Sequence, residues 1–197
     1  MSSPVATVRM ATELDTADTA RLHAAGISDG FLPTLGSSVL RRLHRRMSRD
    51  RGSFILVAGN PGRVTGFVAG TESVGALYRS FLLRDGIVVA ALAAPRIHRV
   101  WRPAWETLRY PARSDPSWPV AELLAIAVAD DARHQGVGRA LTLAFQDELR
   151  HRGVDGAKVV VGSTNQAALG LYRSCGFQPA GHVEVHAGYR SEVLVWP

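Results

Sequence analysis

Val120–Ala140 reads VAELLAIAVADDARHQGVGRA. Its first ten residues form an almost unbroken apolar run with the length of a buried strand. DDARHQGVG follows with the composition of a loop, and Val137–Arg152 turns amphipathic, with Leu141, Phe145 and Leu149 spaced by four. A loop that leaves a strand and opens a helix gathers backbone N–H groups at the positive end of the helix dipole, a ready anion site. Gly136 and Gly138 lack Cβ, so the backbone can take positive φ and come close to an anion, while Arg133 and Arg139 add charge. A nucleoside-triphosphate loop requires Gly-Lys-Ser/Thr, and this chain has Gly138-Arg139-Ala140. A dinucleotide loop requires a third glycine where Leu141 stands and an acid near the end of the next strand, which here ends VVVGST. Both patterns fail on those residues.

Working outward, AKVVVGST (Ala157–Thr164) is a second apolar strand, and NQAALGLYRSCG (Asn165–Gly176) is a short helix stopped by its final glycine. Closing strands are expected around His182–Val185 and Ser191–Trp196. Strand, loop, helix and strand in that order imply a right-handed crossover and a parallel pair at the centre of a mixed sheet. The expected class is α/β, a mixed α+β sheet. Upstream, Val5–Thr12 alternates as a strand does. Asp15–Ile27 and Gly30–Asp50 have helical spacing, with Asp15 or Thr16 capping the first and Asp29 the second. Ser53–Val74 reads as a hairpin about the turn NPGR. The segment 75–119 is expected to be helical to about Arg109, interrupted by Pro95 and Pro103. It collects Trp101, Trp105, Tyr110 and Trp118 and is expected to be a family-variable insert within a single domain spanning 1–197.

A chain of 197 residues with 46% hydrophobic and 20% charged content has room for one well-buried core. No signal peptide is legible at the start, and the longest apolar run, Ile87–Ala94, is far shorter than the ~20 residues of a membrane helix. The lone Cys175 permits no intrachain disulfide and no cysteine metal cluster, so a cytoplasmic setting is expected. The net charge of +6 is carried almost wholly by arginine, Lys158 being the one lysine. Arginines concentrate in LRRLHRRMSRDR (Leu40–Arg51), but they share a helix with Leu43 and Met47, and no aromatic residue interleaves to stack bases. This reads as a solvated helix face, so neither a nucleic-acid partner nor a membrane is expected.

Arg133-His134-Gln135-Gly136-Val137-Gly138 fits the pattern Arg/Gln-x-x-Gly-x-Gly/Ala, and N-x-A-A-x-x-L-Y-x-x-C-G-F follows from Asn165 to Phe177. In that order and spacing Val120–Trp196 resembles the GCN5-related N-acetyltransferases. The earlier part matches as an order of elements. The resemblance implies acetyl-CoA held in a wedge between two splayed parallel strands, here Glu122–Ala129 and Ala157–Thr164. It implies Ile126, Ala127 and Val128 along the cofactor arm, with Ile126 and Val128 pairing through their backbone. It further implies a pyrophosphate held by the amides of the loop Arg133, His134, Gln135, Gly136, Val137, Gly138 and Arg139, and Asn165 against the arm. No metal is implied.

The implied chemistry is direct attack of an amine on the thioester, with an N–H near Val128 serving the developing oxyanion. An amine of pKa near ~10 is mostly protonated at neutral pH, so a base is required. Glu122 is the candidate base, with Glu72 and Glu106 behind it. Tyr172 matches the family's tyrosine that protonates the departing thiolate. Each has a plainer alternative: packing of the Tyr172 ring, or ion pairing of a strand-end glutamate. Cys175 reads as a small core residue. By resemblance, acceptor regions are Gly26–Leu35, Gly75–Trp118 and Glu184–Ser191. The leading expectation is a small-molecule primary amine, an amino sugar carrying phosphate being one that the arginines of 79–113 would suit. A protein or peptide N-terminus, and a non-catalytic acyl-CoA-binding regulator, are the alternatives. The aromatic residues of 75–119 suit a lid or acceptor pocket, or equally the core or a homodimer contact.

Overall fold

The computed structural model describes residues 7–27, 36–93, 115–186 and 189–197. The described strands are β1 (Val8–Met10), β2 (Ser53–Asn60), β3 (Arg63–Thr71), β4 (Glu122–Val128), β5 (Ala157–Gly162), β6 (Gln178–His186) and β7 (Tyr189–Trp196). They form a seven-stranded sheet in the order β1-β2-β3-β4-β5-β7-β6. Every neighbouring pair is antiparallel except the central β4–β5 pair, which is parallel. The expected mixed sheet is therefore present. The described helices are α1 (Thr16–Gly26), α2 (Ser37–Arg49), α3 (Val74–Ala93), α4 (Val137–His151) and α5 (Gln166–Ser174).

Two apolar layers sandwich the sheet. On one face Leu141, Phe145 and Leu149 of α4 and Leu169 of α5 pack on Phe54, Leu123, Val159 and Leu194. On the other, Leu22 of α1, Val39, Leu43 and Met47 of α2, and Leu77 and Phe81 of α3 pack on Val57, Phe67, Ala125 and Ala127. Strand side chains alternate between faces, so Leu123 and Ala125 should share one. They do not, because β4 carries a bulge: Ala69 pairs with Ala125 while Gly70 pairs with Leu123, leaving Leu124 unmatched. Gly70 sits beside this irregularity with no room for a side chain. A Cβ there would lie 2.5 Å from the Phe145 ring and 2.7 Å from that of Phe54. Gly70→Ala should destabilise the fold by about 1–3 kcal/mol through overpacking, measured as a lowered melting temperature; an unchanged one would show that the two rings can part freely.

Several boundaries differ from expectation for local reasons. Among the described residues the second helix starts at Ser37, with Gly36 at its N-cap and φ 93°; Asp29 lies outside the described residues. Asp15 occupies the N-cap position of α1, but its carboxylate turns back to the N–H of Thr12 at 2.8 Å and to Arg9 at 2.7 Å. Those contacts hold the Asp15 carboxyl down at about 2. Helix α3 ends at Ala93; Trp101, Trp105, Glu106 and Tyr110 lie outside the described residues. The arginine-rich face of α2 is partly tied down, since Arg42 and Arg46 reach Asp85 of α3 at 3.1 and 2.6 Å and Arg49 pairs with Glu13. None of the described helices is long and apolar enough to cross a membrane.

Between α1 and α2 lies a buried polar chain. Thr19 Oγ1 donates to Thr16 O at 3.3 Å, so it accepts from His44 Nδ1–H at 2.9 Å, and His44 Nε2 then accepts from His23 Nδ1–H at 3.0 Å. Both rings pack against Phe67. Burial lowers the His23 pKa to about 4; burial and then the neighbouring His23 lower that of His44 to about 3. In the unfolded chain both take up protons near 6.5. Below that pH the unfolded state binds more protons, so stability should fall as pH drops from 6.5 through 4. Thermal melts across this window should show a steady decline, steeper than in His23→Gln/His44→Gln; a flat profile would overturn the neutral pair.

Candidate active site

The parallel pair at the centre of the sheet exists over two residue pairs only, Glu122 with Lys158 and Leu123 with Val159. Beyond them β4 stays with β3 as far as Val128, and β5 stays with β7 as far as Gly162. The strands therefore fork just where Leu124 bulges. The N–H of Ala129 donates to Thr65 O at 2.8 Å, toward β3. Alternation then turns the backbone groups of Ala125 and Ala127 toward β3 as well, and those of Ile126 and Val128 into the fork. An extended chain could pair there as an added strand does. Ala127 meets the fork differently: its backbone belongs to the β3 ladder, and its Cβ would lie 3.0 Å from one placed on Gly26 of α1.

The mouth of the fork leads into the glycine loop. Residues 130–132 make one 3-10 turn, His134 has φ 60° and Gly136 has φ 80° as the N-cap of α4. The first intrahelical bond at this end runs from Ala140 N–H to Gly136 O at 2.9 Å, so the amides of Val137, Gly138 and Arg139 precede the helical ladder. A Cβ on Gly136 would meet nothing within 4 Å, whereas one on Gly138 would lie 3.3 Å from Leu171 of α5. The two glycines thus serve different ends: Gly136 keeps an open concavity in a left-handed conformation, and Gly138 lets α5 close on α4. The side chains brace the loop from within. Arg133 donates to Val128 O at 3.3 Å and pairs with Asp130 at 2.9 Å, and Gln135 donates to Asp131 O at 2.8 Å. Val137 is buried in the core, and His134 and Arg139 are exposed. An open cradle of amides beside two arginines fits a diphosphate.

Asn165 and Tyr172 lie at the two ends of α5. The Asn165 side-chain oxygen accepts from Ala168 N–H at 3.1 Å, capping the helix and leaving its NH2 to serve a cofactor. Tyr172 is 4% exposed, with its ring 5.6 Å from that of Phe177. Its hydroxyl makes no hydrogen bond among the described residues. Burial, and then the neighbouring Cys175, push its pKa upward, keeping it a protonated donor at neutral pH. Cys175 is buried, in line with a core role.

Glu122 lies at the closed end of the fork, 6% exposed, with Lys158 Nζ 3.6 Å from its Oε2. Lys158, 4% exposed, also donates to Pro119 O at 2.7 Å. Tyr78 of α3 stands near enough for the Glu122 charge, after burial, to raise its pKa. Neither Lys158 nor Tyr78 was expected at the site. The signal available for Lys158 was a lone charge inside an apolar strand. Glu72, the weaker base candidate, pairs instead with Arg152 of the α4 end at 3.2 Å. Among the described residues no group of three or more His, Cys, Asp or Glu could hold a metal ion.

A forked parallel pair, wedge-facing backbone on one arm and an amide cradle at its mouth together suit a nucleotide thioester. The acetyltransferase (GNAT) family model matches residues 27–177. The chain belongs to that family, whose members are acetyl-CoA-dependent N-acetyltransferases. Among solved structures it is similar to a GCN5-related N-acetyltransferase from Kribbella flavida, at 23% identity and TM-score 0.64 over 99% of each chain. It is also similar to the ribosomal-protein-S18-alanine N-acetyltransferase of Escherichia coli, at 17% identity and TM-score 0.61 over 97% of this chain and 92% of that one. A third, yncA from Salmonella typhimurium, was solved with its cofactor acetyl-CoA; it shares 18% identity and TM-score 0.60 over 97% of this chain and 92% of that one. No curated protein sequence matches the chain significantly.

Proposed function

We propose that the chain acetylates the primary amine of a small molecule, with Glu122 as base and Tyr172 as acid. The cofactor supplies an acetyl thioester, an electrophilic carbonyl with a thiolate leaving group. The backbone of Ile126 and Val128 would align the cofactor arm, the amides from His134 to Arg139 would hold its diphosphate, and the Asn165 NH2 would reach the arm. An ammonium acceptor gives one proton to Glu122, directly or through water, and the amine nitrogen then bonds to the acetyl carbon as the C–S bond breaks. Tyr172 gives its proton to sulfur and regains one as the new amide forms. The Val128 N–H, facing the fork, is the donor for the carbonyl oxygen.

The observation that carries the small-molecule reading is the enclosure of Glu122, which is 6% exposed and has Tyr78 of α3 beside it. A folded protein's N-terminus would have to thread into that enclosure. Arg79 and Arg84 on α3, exposed and with no ion pair among the described residues, suit an acceptor bearing phosphate, such as an amino sugar phosphate. With one cysteine, buried, and this cofactor, we read it as a cytoplasmic enzyme. Thiol release should be followed with neutral amines, phosphorylated amino sugars and peptides with free N-termini. Turnover confined to peptides would overturn the reading, equal rates for neutral and anionic amines would remove the phosphate, and binding without turnover would favour a regulator.

A further inference from the structure

Lysine is used once in this chain, and it is not on the surface. Lys158 follows the first residue of β5 in a strand otherwise reading Ala, Val, Val, Val, Gly. Its β5 neighbours Ala157, Val159 and Val161 face the α4–α5 layer, so alternation directs Lys158 to the face covered by α1, α2 and α3. Ala121 and Leu123 likewise face the α4–α5 layer, which directs Glu122 to the same side as Lys158. The two residues are register partners in the last parallel pairs before the fork opens. A buried ammonium requires a counter-charge and hydrogen-bond acceptors, and Lys158 has both: Glu122 Oε2 at 3.6 Å and Pro119 O at 2.7 Å. Pro119 precedes β4 in sequence, so the ammonium ties the entry to one arm of the fork to the start of the other. The titratable groups facing Glu122 include Lys158 from β5 and Tyr78 from α3.

We infer that Lys158 is a positioning residue for acetyl transfer: it keeps the Glu122 carboxylate ionised and aimed while the amine is awaited. This rests on the reading of Glu122 as the base. Without Lys158 beside it a carboxyl so enclosed would ionise less readily, because burial disfavours the charged form. The protonated fraction is unable to accept the proton of the incoming ammonium. With the cation present, the carboxylate is charged before the acceptor arrives. Its proton can pass on to solvent water after the reaction.

The test is a pH profile of kcat/KM for the amine in Lys158→Met, Lys158→Arg and Glu122→Gln, each with acetyl-CoA affinity measured alongside. Lys158→Met should lose about tenfold at neutral pH for each unit by which the carboxyl comes to stand above the assay pH. Its activity should recover as pH is raised, with acetyl-CoA affinity unchanged, and Lys158→Arg should restore most of it. Glu122→Gln should be impaired at every pH. A uniform loss in Lys158→Met with no displaced acid limb would overturn the positioning role while leaving Glu122 as base. An active Glu122→Gln would overturn the base itself. Should Lys158→Met fail to fold, carboxyl 13C titration of Glu122 in the unaltered protein decides: a carboxylate charged well below neutrality supports the inference, and one protonated at neutral pH overturns it.

Discussion

Replacing Tyr172 with phenylalanine should lower kcat by about 10²-fold while acetyl-CoA affinity changes little. The ring is buried against Phe177 and belongs to the core layer beneath α5, so Tyr172→Phe keeps the packing and removes only the hydroxyl. That hydroxyl makes no hydrogen bond among the described residues, so its loss strands no buried partner there and the fold should keep its melting temperature. The lost hydroxyl would be felt at the leaving sulfur. A further signature separates an acid from a packed ring: thioesters with better leaving groups should be less affected, because a more acidic thiol needs less help to depart. Unchanged kcat with acetyl-CoA would return Tyr172 to packing alone.

Gly136→Val should weaken acetyl-CoA binding by tenfold or more. Two effects act together. The residue sits at φ 80°, where an L side chain costs about 1–2 kcal/mol and a β-branched one more. Each 1.4 kcal/mol that binding loses is about tenfold in affinity. Because a Cβ there meets nothing within 4 Å, the new side chain would be free to occupy the concavity that the diphosphate needs. Gly138→Ala is the control: its φ is not in the left-handed region, and its Cβ would press on the flexible end of Leu171 at 3.3 Å, so its effect should be smaller. Calorimetry with CoA would show the contrast. Equal affinity in Gly136→Val would sink the cradle.

The sequence was most informative where local pattern and backbone need coincide. Gly136, Gly138, the apolar runs at either side and Asn165–Gly176 each carry a short-range signature, and the forked strands, the loop and α5 lie where those signatures put them. β5 stops two residues early, because Asn165 N–H turns back to Gly162 O at 2.9 Å. Side-chain roles were less legible. Arg133 and Gln135 carry a positive and a polar group in the right stretch, but their bonds to Val128 O and Asp131 O depend on how the loop folds back. The bulge at Leu124 leaves no compositional mark, yet it reverses which residues of β4 face which layer. The Glu122–Lys158 pair joins residues brought level only by parallel register, and His23–His44 joins two helices through rings that each look like isolated polar positions.

The solitary ammonium inside the sheet also makes the protein a quiet reagent. An enzyme that handles an activated acetyl donor normally exposes many lysines that the donor can modify slowly without help. Here the one lysine side chain is enclosed at the root of the fork, 4% accessible. Background acetylation of the catalyst, and labelling by amine-directed dyes or crosslinkers, should therefore spare Lys158 as long as the chain stays folded.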